Sequence, residues 1–404
     1  MANRIIVTQI GARHRYVIPR VLERCGLLSR FYTDSTNMSL LGRCASFLWS
    51  CGFRFAPFAR LRGRGPNIPK GKLYTSDILF FKSVFKRLFS KDTIETQLLV
   101  FDGLSNQCIK WGVGNADCVY GMYFENFRFL AFAKSRGLKI VADIYERPMT
   151  YKLLIEEIKS NDEYSVFQTA TTEYEKKHEV RMMYINRLLE LADYYTVPSK
   201  NVEKSLREFS GFDENKVLYL PYASSICPDS YHWCPRKHRL LFVGSDIVNK
   251  GLLYCARAAT TLKGRFPDLD FRIVGLSRDE RTNCPVFDDL NFLGFLGKEQ
   301  LEAEYSNAEA FVFPTLFEGF AGAVIEAACC GCPIITTENA GMDVSEFPAI
   351  YVREKSSDAI VDAVTSIFEN SELRDDLSKR AYDYSKHFSP SAYENRLINC
   401  FKSI

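Results

Sequence analysis

A chain of 404 residues with 47% apolar residues, 25% charged residues and a formal charge of +3 has the composition of a water-soluble globular protein, with length enough for two cores. The small net charge argues against nucleic acid as a partner, and no unbroken run of about 18 apolar residues exists to span a membrane. The 13 cysteines are scattered without paired metal-ligand spacing. This fits a reducing compartment, with Cys329, Cys330 and Cys332 packing as small apolar side chains at a helix-to-strand turn.

Arg4 to Ile10 reads as a first buried strand. Its apolar run, Ile5–Val7, is too short for a secretion leader, so none is expected. Gly11-Ala12-Arg13-His14-Arg15 follows, then an amphipathic helix with Val17, Ile18, Val21 and Leu22 on one face. Strand, glycine loop and helix in this order place the loop at the carboxyl end of a sheet, where open α/β folds bind ligands. Arg13, His14 and Arg15 are either a basic surface loop or face a phosphate. From Arg43 to Lys91 there are eleven Lys or Arg and one acid, Asp77, with phenylalanines interleaved. Residues 81–89 read as a basic amphipathic helix. The pattern suits an anionic membrane surface; a polyanionic glycan and an ordinary packed insertion are the alternatives. Thr96–Phe101 and Asp117–Gly121 read as short strands. Lys139 to Ile144 is a clearer one, ending in Tyr145-Glu146-Arg147 before Pro148. A tyrosine there is a poor general base, its reference pKa being about 10. Residues 151–192 read as helical, with a solvated charged run from Glu173 to Glu179. Ser199 caps the helix after the strand that ends at Val197. Residues 223–238 read as a linker.

The second half opens with the strand Arg239–Val243 and Gly244-Ser245. Lys250-Gly251 then precedes a helix, a placement suited to a diphosphate, although the Walker spacing is absent. Strands ending at Gly275 and at Gly294-Phe295 come next. Asp268-Leu-Asp270 precedes a buried strand and reads as solvated rather than metal-binding. The densest motif follows. Phe311–Phe313 is a strand, stopped by Pro314. Thr315-Leu-Phe-Glu318-Gly319-Phe320-Ala321-Gly322 is a tight loop, and a helix carries Glu326. Small residues at Gly319 and Gly322 let a ligand approach the backbone, and the helix start offers unpaired N–H groups. Glu318 and Glu326 stand just over two helical turns apart. Helices from Ser356 to about Lys386 and from Ser389 to Phe401 close the chain.

The run Phe-Pro-Thr-Leu-Phe-Glu-Gly-Phe, then Val-Ile-Glu-Ala, then Cys-Gly-Cys-Pro-Ile-Ile resembles the signature of family-4 retaining glycosyltransferases with the GT-B fold. The resemblance implies an α/β protein of two facing Rossmann-like domains with an interdomain cleft. Residues 1–222 would form the acceptor-binding domain, with 388–404 packing back on it; 223–238 is the linker, and 239–387 would bind the nucleotide sugar. It also implies that Glu318 binds donor-sugar hydroxyls, that Glu326 binds the ribose, and that Lys250 meets the diphosphate. Gly11, Gly244, Ser245, Gly275, Phe295, Gly319, Phe320, Ala321 and Gly322 would line the donor site. Arg13, His14 and Arg147 are acceptor-side candidates, and Tyr145 and Glu146 face the reaction. The chain departs from the family pattern in three places. Ala321-Gly322-Ala323 replaces Gly-Leu-Pro, Ser245 replaces a common arginine, and Tyr145 replaces a histidine.

The expected activity is transfer of a sugar, with retention, from a nucleotide-diphosphate sugar to a hydroxyl of a glycan or lipid-linked acceptor, as in cell-surface polysaccharide synthesis. No metal or other cofactor is expected, nor any nucleic-acid partner. The expected location is cytoplasmic, with contact to the inner face of a membrane through 43–91. Ser245 and Tyr145 motivate an alternative, a catalytically degenerate sugar-nucleotide-binding partner subunit. A GT-B epimerase is a third class.

Overall fold

Short apolar runs, closed by glycine, proline or a polar pair, become the strands of two sheets. In a computed structural model, which describes residues 4–89, 94–402 and 404, the first sheet holds β1 (Ile5–Thr8), β2 (Leu28–Thr33), β3 (Leu73–Thr75), β4 (Cys118–Met122), β5 (Lys139–Asp143), β6 (Tyr194–Val197) and β7 (Val217–Tyr219). Their order is β3-β2-β1-β4-β5-β6-β7. The second sheet holds β8 (Arg239–Val243), β9 (Asp270–Val274), β10 (Asn291–Gly294), β11 (Ala310–Phe313), β12 (Ile334–Thr336) and β13 (Ile350–Tyr351), in the order β10-β9-β8-β11-β12-β13. The strand pairs are parallel. β1, β4 and β11 are buried along their whole length, as strands covered on both faces must be. Strand order reverses between β1 and β4 in one sheet and between β8 and β11 in the other. Those two switch points are where such sheets open a crevice at their carboxyl ends.

β2, β3 and β13 were not anticipated from the sequence, and one predicted element is of another type. Residues 96–101, read as a strand, belong to the helix Ile94–Trp111. Thr96, Val100, Leu104 and Cys108 recur every four residues and are buried, so the apolar run is one face of a helix. The basic stretch forms a three-helix insertion between β2 and the helix Ile94–Trp111: Leu40–Ser50, Ala56–Arg62 and Asp77–Phe89. Ser39 caps the first of these by accepting the Gly42 N–H at 3.2 Å. The basic helix read over 81–89 lies within the third. Residues 90 and 91 of the stretch fall outside the described residues.

The chain's path between the two cores is not a single crossing. After β5, the helix Thr150–Lys159 and the turn Asp162–Ala170 place Leu154, Ile158 and Tyr164 in the core of the second sheet. Glu157 there is 1% exposed in its side chain; it accepts the Tyr254 hydroxyl at 2.6 Å and pairs with Lys355 at 2.7 Å. Arg257 pairs with Glu163 at 2.6 Å. The helix Thr171–Leu191 then returns Ile185, Leu188 and Leu189 to the first core. From the second sheet the chain comes back once more: Tyr393, Leu397 and Phe401 of the last helix, Pro390–Lys402, pack against the first sheet.

Candidate active site

The loops after β8 and β11 meet at the second switch point. Asp246 folds the first loop by accepting the N–H groups of Val248 and Asn249 at 3.1 and 2.9 Å. Gly251 then turns at φ +70°, where a side chain would meet the Pro314 carbonyl at 2.2 Å. Only glycine fits that position. The turn aims Lys250 at Glu318, and the ammonium contacts Oε1 of that carboxylate. Asn249 donates to the same oxygen at 3.3 Å. Burial pulls the Lys250 ammonium down to about 8. Lys250 and Glu318, far apart in sequence, are therefore brought together.

The glycines of this wall stand abreast at strand ends. Gly275 (φ +95°) lies so close to Gly244 that a Cβ would meet the Gly244 carbonyl at 2.7 Å, and its N–H donates to the Gly294 carbonyl at 2.8 Å. Phe295 follows with 82% of its surface exposed, a ring free to stack. Ser245 is exposed beside Gly244.

Glu326 lies on the helix Gly322–Cys329. It accepts the Ser225 hydroxyl at 2.5 Å and the Tyr305 hydroxyl at 3.2 Å. Burial raises its carboxyl pKa and these two donors oppose the shift. Glu318 precedes this helix, in the loop, so the two carboxylates share the motif and not one helix face. The loop is held by its backbone: Glu318 N–H donates to the Asn339 carbonyl at 3.2 Å and Ala321 N–H to the Ala340 carbonyl at 2.9 Å. Gly319 abuts the first domain. A Cβ there would lie 2.2 Å from the Tyr145 carbonyl, and its own carbonyl accepts the Ser199 hydroxyl at 2.6 Å. The ring of Phe320 sits 5.8 Å from that of Tyr222.

The first switch point forms the opposite wall. Gly11 turns at φ +69°, its N–H held by Asp34 at 3.0 Å. Arg13 pairs with Glu125 at 2.5 Å, donates to the Tyr145 hydroxyl at 2.9 Å and lies 4.2 Å over the Tyr145 ring. Glu125 also accepts the Ile10 N–H at 3.0 Å. Its side chain is 2% exposed; burial raises its carboxyl pKa and Arg13 opposes this. Burial drives the Tyr145 phenol far above its ordinary value, which keeps it protonated near neutral pH. Glu146 turns away to Arg181 at 2.6 Å. Arg147 crosses to the second domain and donates to Asn339 at 3.0 Å. His14 is exposed, with its ring 4.1 Å from Tyr222. His14, Arg15 and Tyr16 all adopt positive φ, an uncommon run for non-glycine residues.

Sequence reading missed Glu125, Asp34, Asn249, Ser225 and Tyr305. Glu125 was within reach, since Glu125-Asn126 is a polar pair just past the end of β4. Ser225, in the linker, carried no signal. Asp268, discounted as a metal ligand, pairs with His238 at 2.7 Å. Among the described residues no group of three or more His, Cys, Asp or Glu is placed to hold a metal ion.

Residues 231–384 match the family model described as Glycosyl transferases group 1. Over 175 residues the chain is 23% identical to the N,N'-diacetylbacillosaminyl-diphospho-undecaprenol alpha-1,3-N-acetylgalactosaminyltransferase of Campylobacter jejuni, covering 42% of this chain and 46% of that one. It is 25% identical to the O-antigen chain mannosyltransferase B of Escherichia coli over 28% of this chain and 30% of the other. The chain thus spans less than half the length of these curated relatives. Among solved structures, sucrose-phosphate synthase from Thermosynechococcus elongatus superposes with a TM-score of 0.66 at 17% identity, covering 99% of this chain and 98% of that one. WaaG, a glycosyltransferase involved in lipopolysaccharide biosynthesis, superposes with a TM-score of 0.60 at 14% identity over 98% and 99%. In fold over nearly its whole length, and in sequence over 231–384, the chain resembles the GT-B glycosyltransferases.

Proposed function

We propose that the protein transfers a sugar, with retention, from a nucleotide-diphosphate sugar on the second domain to a hydroxyl of a glycan or lipid-linked acceptor on the first. The observation that carries this is the contact of Lys250 with Glu318 at the second switch point, across from Arg13 and Glu125 at the first. In the reading, Glu326 holds the ribose, Phe295 stacks near the base and Glu318 orients the sugar hydroxyls. Lys250 and the first N–H groups of the helix at Gly322 meet the charge growing on the leaving diphosphate. The bond from the anomeric carbon to the phosphate oxygen breaks as the acceptor oxygen bonds to the same face. The acceptor's proton passes to the departing phosphate oxygen. Tyr145 and Glu146 are both engaged elsewhere, which fits a step without a protein base. The reading assigns no resident metal, because Lys250 and the helix start carry that charge.

The Campylobacter relative, a diphospho-undecaprenol N-acetylgalactosaminyltransferase by name, supports a lipid-linked acceptor, and those of O-antigen and lipopolysaccharide synthesis support a role in cell-surface polysaccharide. No described helix is long and apolar enough to cross a membrane; the reading has the protein in the cytoplasm, peripheral to the membrane. A thermal-shift screen against UDP, GDP, ADP, dTDP and their sugars is the first test. One nucleotide raising the melting temperature is expected, because a ligand of the native state stabilises it. No response to any of them at millimolar concentration would overturn the donor site. NMR of the glycoside product then reads retention at the anomeric carbon. Nucleotide binding without turnover would favour the alternative of a partner subunit, for which exposed Ser245 is the motive.

The reading carries a pH dependence. A nucleotide diphosphate favours the charged form of Lys250, which is the form below its pKa of about 8. Affinity is expected to fall as pH rises through that value, approaching about tenfold per unit. Titration calorimetry across this range checks it. Lys250→Arg removes the fall, since a guanidinium stays protonated throughout.

A further inference from the structure

We propose that the three-helix insertion is a lipid-docking module. Its apolar groove takes a hydrocarbon chain of an anionic bilayer, and its surface cations meet the headgroups. The inference deepens the reading above, which supplies the lipid-linked acceptor.

The insertion has little interior of its own: Ala45, Leu61 and Phe80 form its separate buried cluster, while Leu79 packs into the core of the first sheet. Beside them, between the helices, opens a cavity of about 110 Å³ lined by apolar side chains, among them Leu41, Phe55, Phe58, Phe80, Phe81 and Phe85. Three of these rings are also exposed to solvent: Phe55 by 43%, Phe81 by 61% and Phe85 by 57%. Along the helix Asp77–Phe89, exposed Ile78, Phe81 and Phe85 stand at i, i+3 and i+7, which is one continuous stripe. Leu79 and Phe80 turn inward. The helix therefore presents apolar side chains on two faces and buries only one. Single exposed phenylalanines are ordinary; a stripe of them beside an apolar groove marks an interaction surface.

Charge selects the occupant. Nine Lys or Arg lie between Arg43 and Lys86 against one acid, Asp77. That acid is consumed internally, accepting from Ser35 at 2.5 Å and from the Leu41 N–H at 2.8 Å. Arg64 and Lys72 are paired with Asp34 and Glu23. Arg43, Arg54, Arg60, Arg62, Lys70 and Lys82 are exposed. Aromatic side chains beside unopposed cations are the surface an anionic bilayer binds. The module is also fastened to the acceptor wall. Arg64 lies 3.6 Å from the place of a Cβ on Gly11, and its partner Asp34 holds the Gly11 N–H. A bilayer on the insertion brings its headgroups beside the Arg13 loop.

The test is co-sedimentation of the whole protein with vesicles of phosphatidylcholine, or of phosphatidylcholine mixed with phosphatidylglycerol. Binding to the mixed vesicles at low salt is expected. Arg60→Gln and Lys82→Gln should each weaken it by about fivefold. Phe81→Asp with Phe85→Asp should weaken it by about tenfold or more, through lost apolar burial. All three residues of the stripe face solvent, so the double variant should fold, and an unchanged melting temperature verifies that. Absence of binding to mixed vesicles would overturn the proposal. So would full binding by the Phe81→Asp, Phe85→Asp variant, which would mean adsorption by charge alone. Dimerisation of the wild type, abolished in that variant and without vesicle binding, would assign the stripe to a second copy of the chain and overturn it as well. Nucleotide-induced stabilisation is read separately on the same samples, so loss of the donor-site reading and loss of this one are told apart.

Discussion

Lys250→Ala is expected to lower the transfer rate constant by about 10²–10³-fold, the range seen when one preorganised group opposite a developing negative charge is removed. The ammonium sits on a loop whose backbone Asp246 and Gly251 fix at both ends, so the backbone need not refold for it to meet a departing phosphate. Without ligand it is held by Glu318, with Asn249 on the same carboxylate. Donor binding must therefore replace one ion pair with another, and this gives the two partners opposite signs. Lys250→Ala should weaken nucleotide-diphosphate binding. Glu318→Gln should strengthen it, by about fivefold for a pair worth about 1 kcal/mol, while slowing transfer because the sugar hydroxyls lose a carboxylate acceptor. Calorimetry and steady-state kinetics on the two variants read both quantities. Equal loss of nucleotide affinity in both would show that Glu318 does not compete for Lys250.

The second large effect is expected from one methyl group. Gly319→Ala places a carbon 2.2 Å from the Tyr145 carbonyl and 3.1 Å from Glu146 Cα. Both obstacles are backbone, so neither a rotamer change nor a side-chain shift relieves the clash. The donor loop must retreat from the end of β5 or the two domains must part. Either movement strains the Ser199 bond to the Gly319 carbonyl. The expected cost to stability is about 1–3 kcal/mol, as for overpacking elsewhere. The larger consequence is for turnover. A loop displaced by 1 Å misplaces Glu318 relative to the acceptor wall, and such a shift costs about 10²-fold in rate. Nucleotide affinity should change less, since Lys250 and Glu326 both belong to the second domain. A stopped assay with nucleotide binding near normal is the diagnostic pair of measurements.

Most strands were legible in the sequence where a short apolar run ends at a glycine, as at Gly11, Gly244, Gly275 and Gly294; β2, β3 and β13 carry no such closing signal and were missed. Parallel strands buried on both faces show as near-continuous apolar runs. The run 96–101 went astray for the same reason, since six residues of apolar sequence look alike in a strand and in a buried helix turn. Only the continuation through Leu104 and Cys108 decides it. Lys250, Glu318 and Glu326, expected in the sequence to form the donor site, come from one local motif and one glycine loop. The opposite wall, proposed for the acceptor, is assembled from pieces that no local pattern connects. Arg13 finds Glu125 more than a hundred residues away, and Arg64 reaches Asp34 and Gly11 from inside the insertion. Tyr145 was placed correctly at the end of its strand. Its hydroxyl accepts a hydrogen bond from Arg13, a partner the local sequence does not announce.

The excursion of residues 150–170 onto the second core, together with the return of the last helix, means that four segments of chain pass between the two halves. The halves are therefore not modular cassettes. A chimera joined only at 223–238, as in swapping one donor specificity for another, would inherit Leu154, Ile158 and Tyr164 from one parent and the surface that receives them from the other. It would likewise pair Tyr393, Leu397 and Phe401 with a foreign first sheet. Recombination that preserves the native interfaces has to carry 150–170 and 390–402 with the partner each one covers, which makes the second half's inheritance discontinuous in sequence though continuous in space.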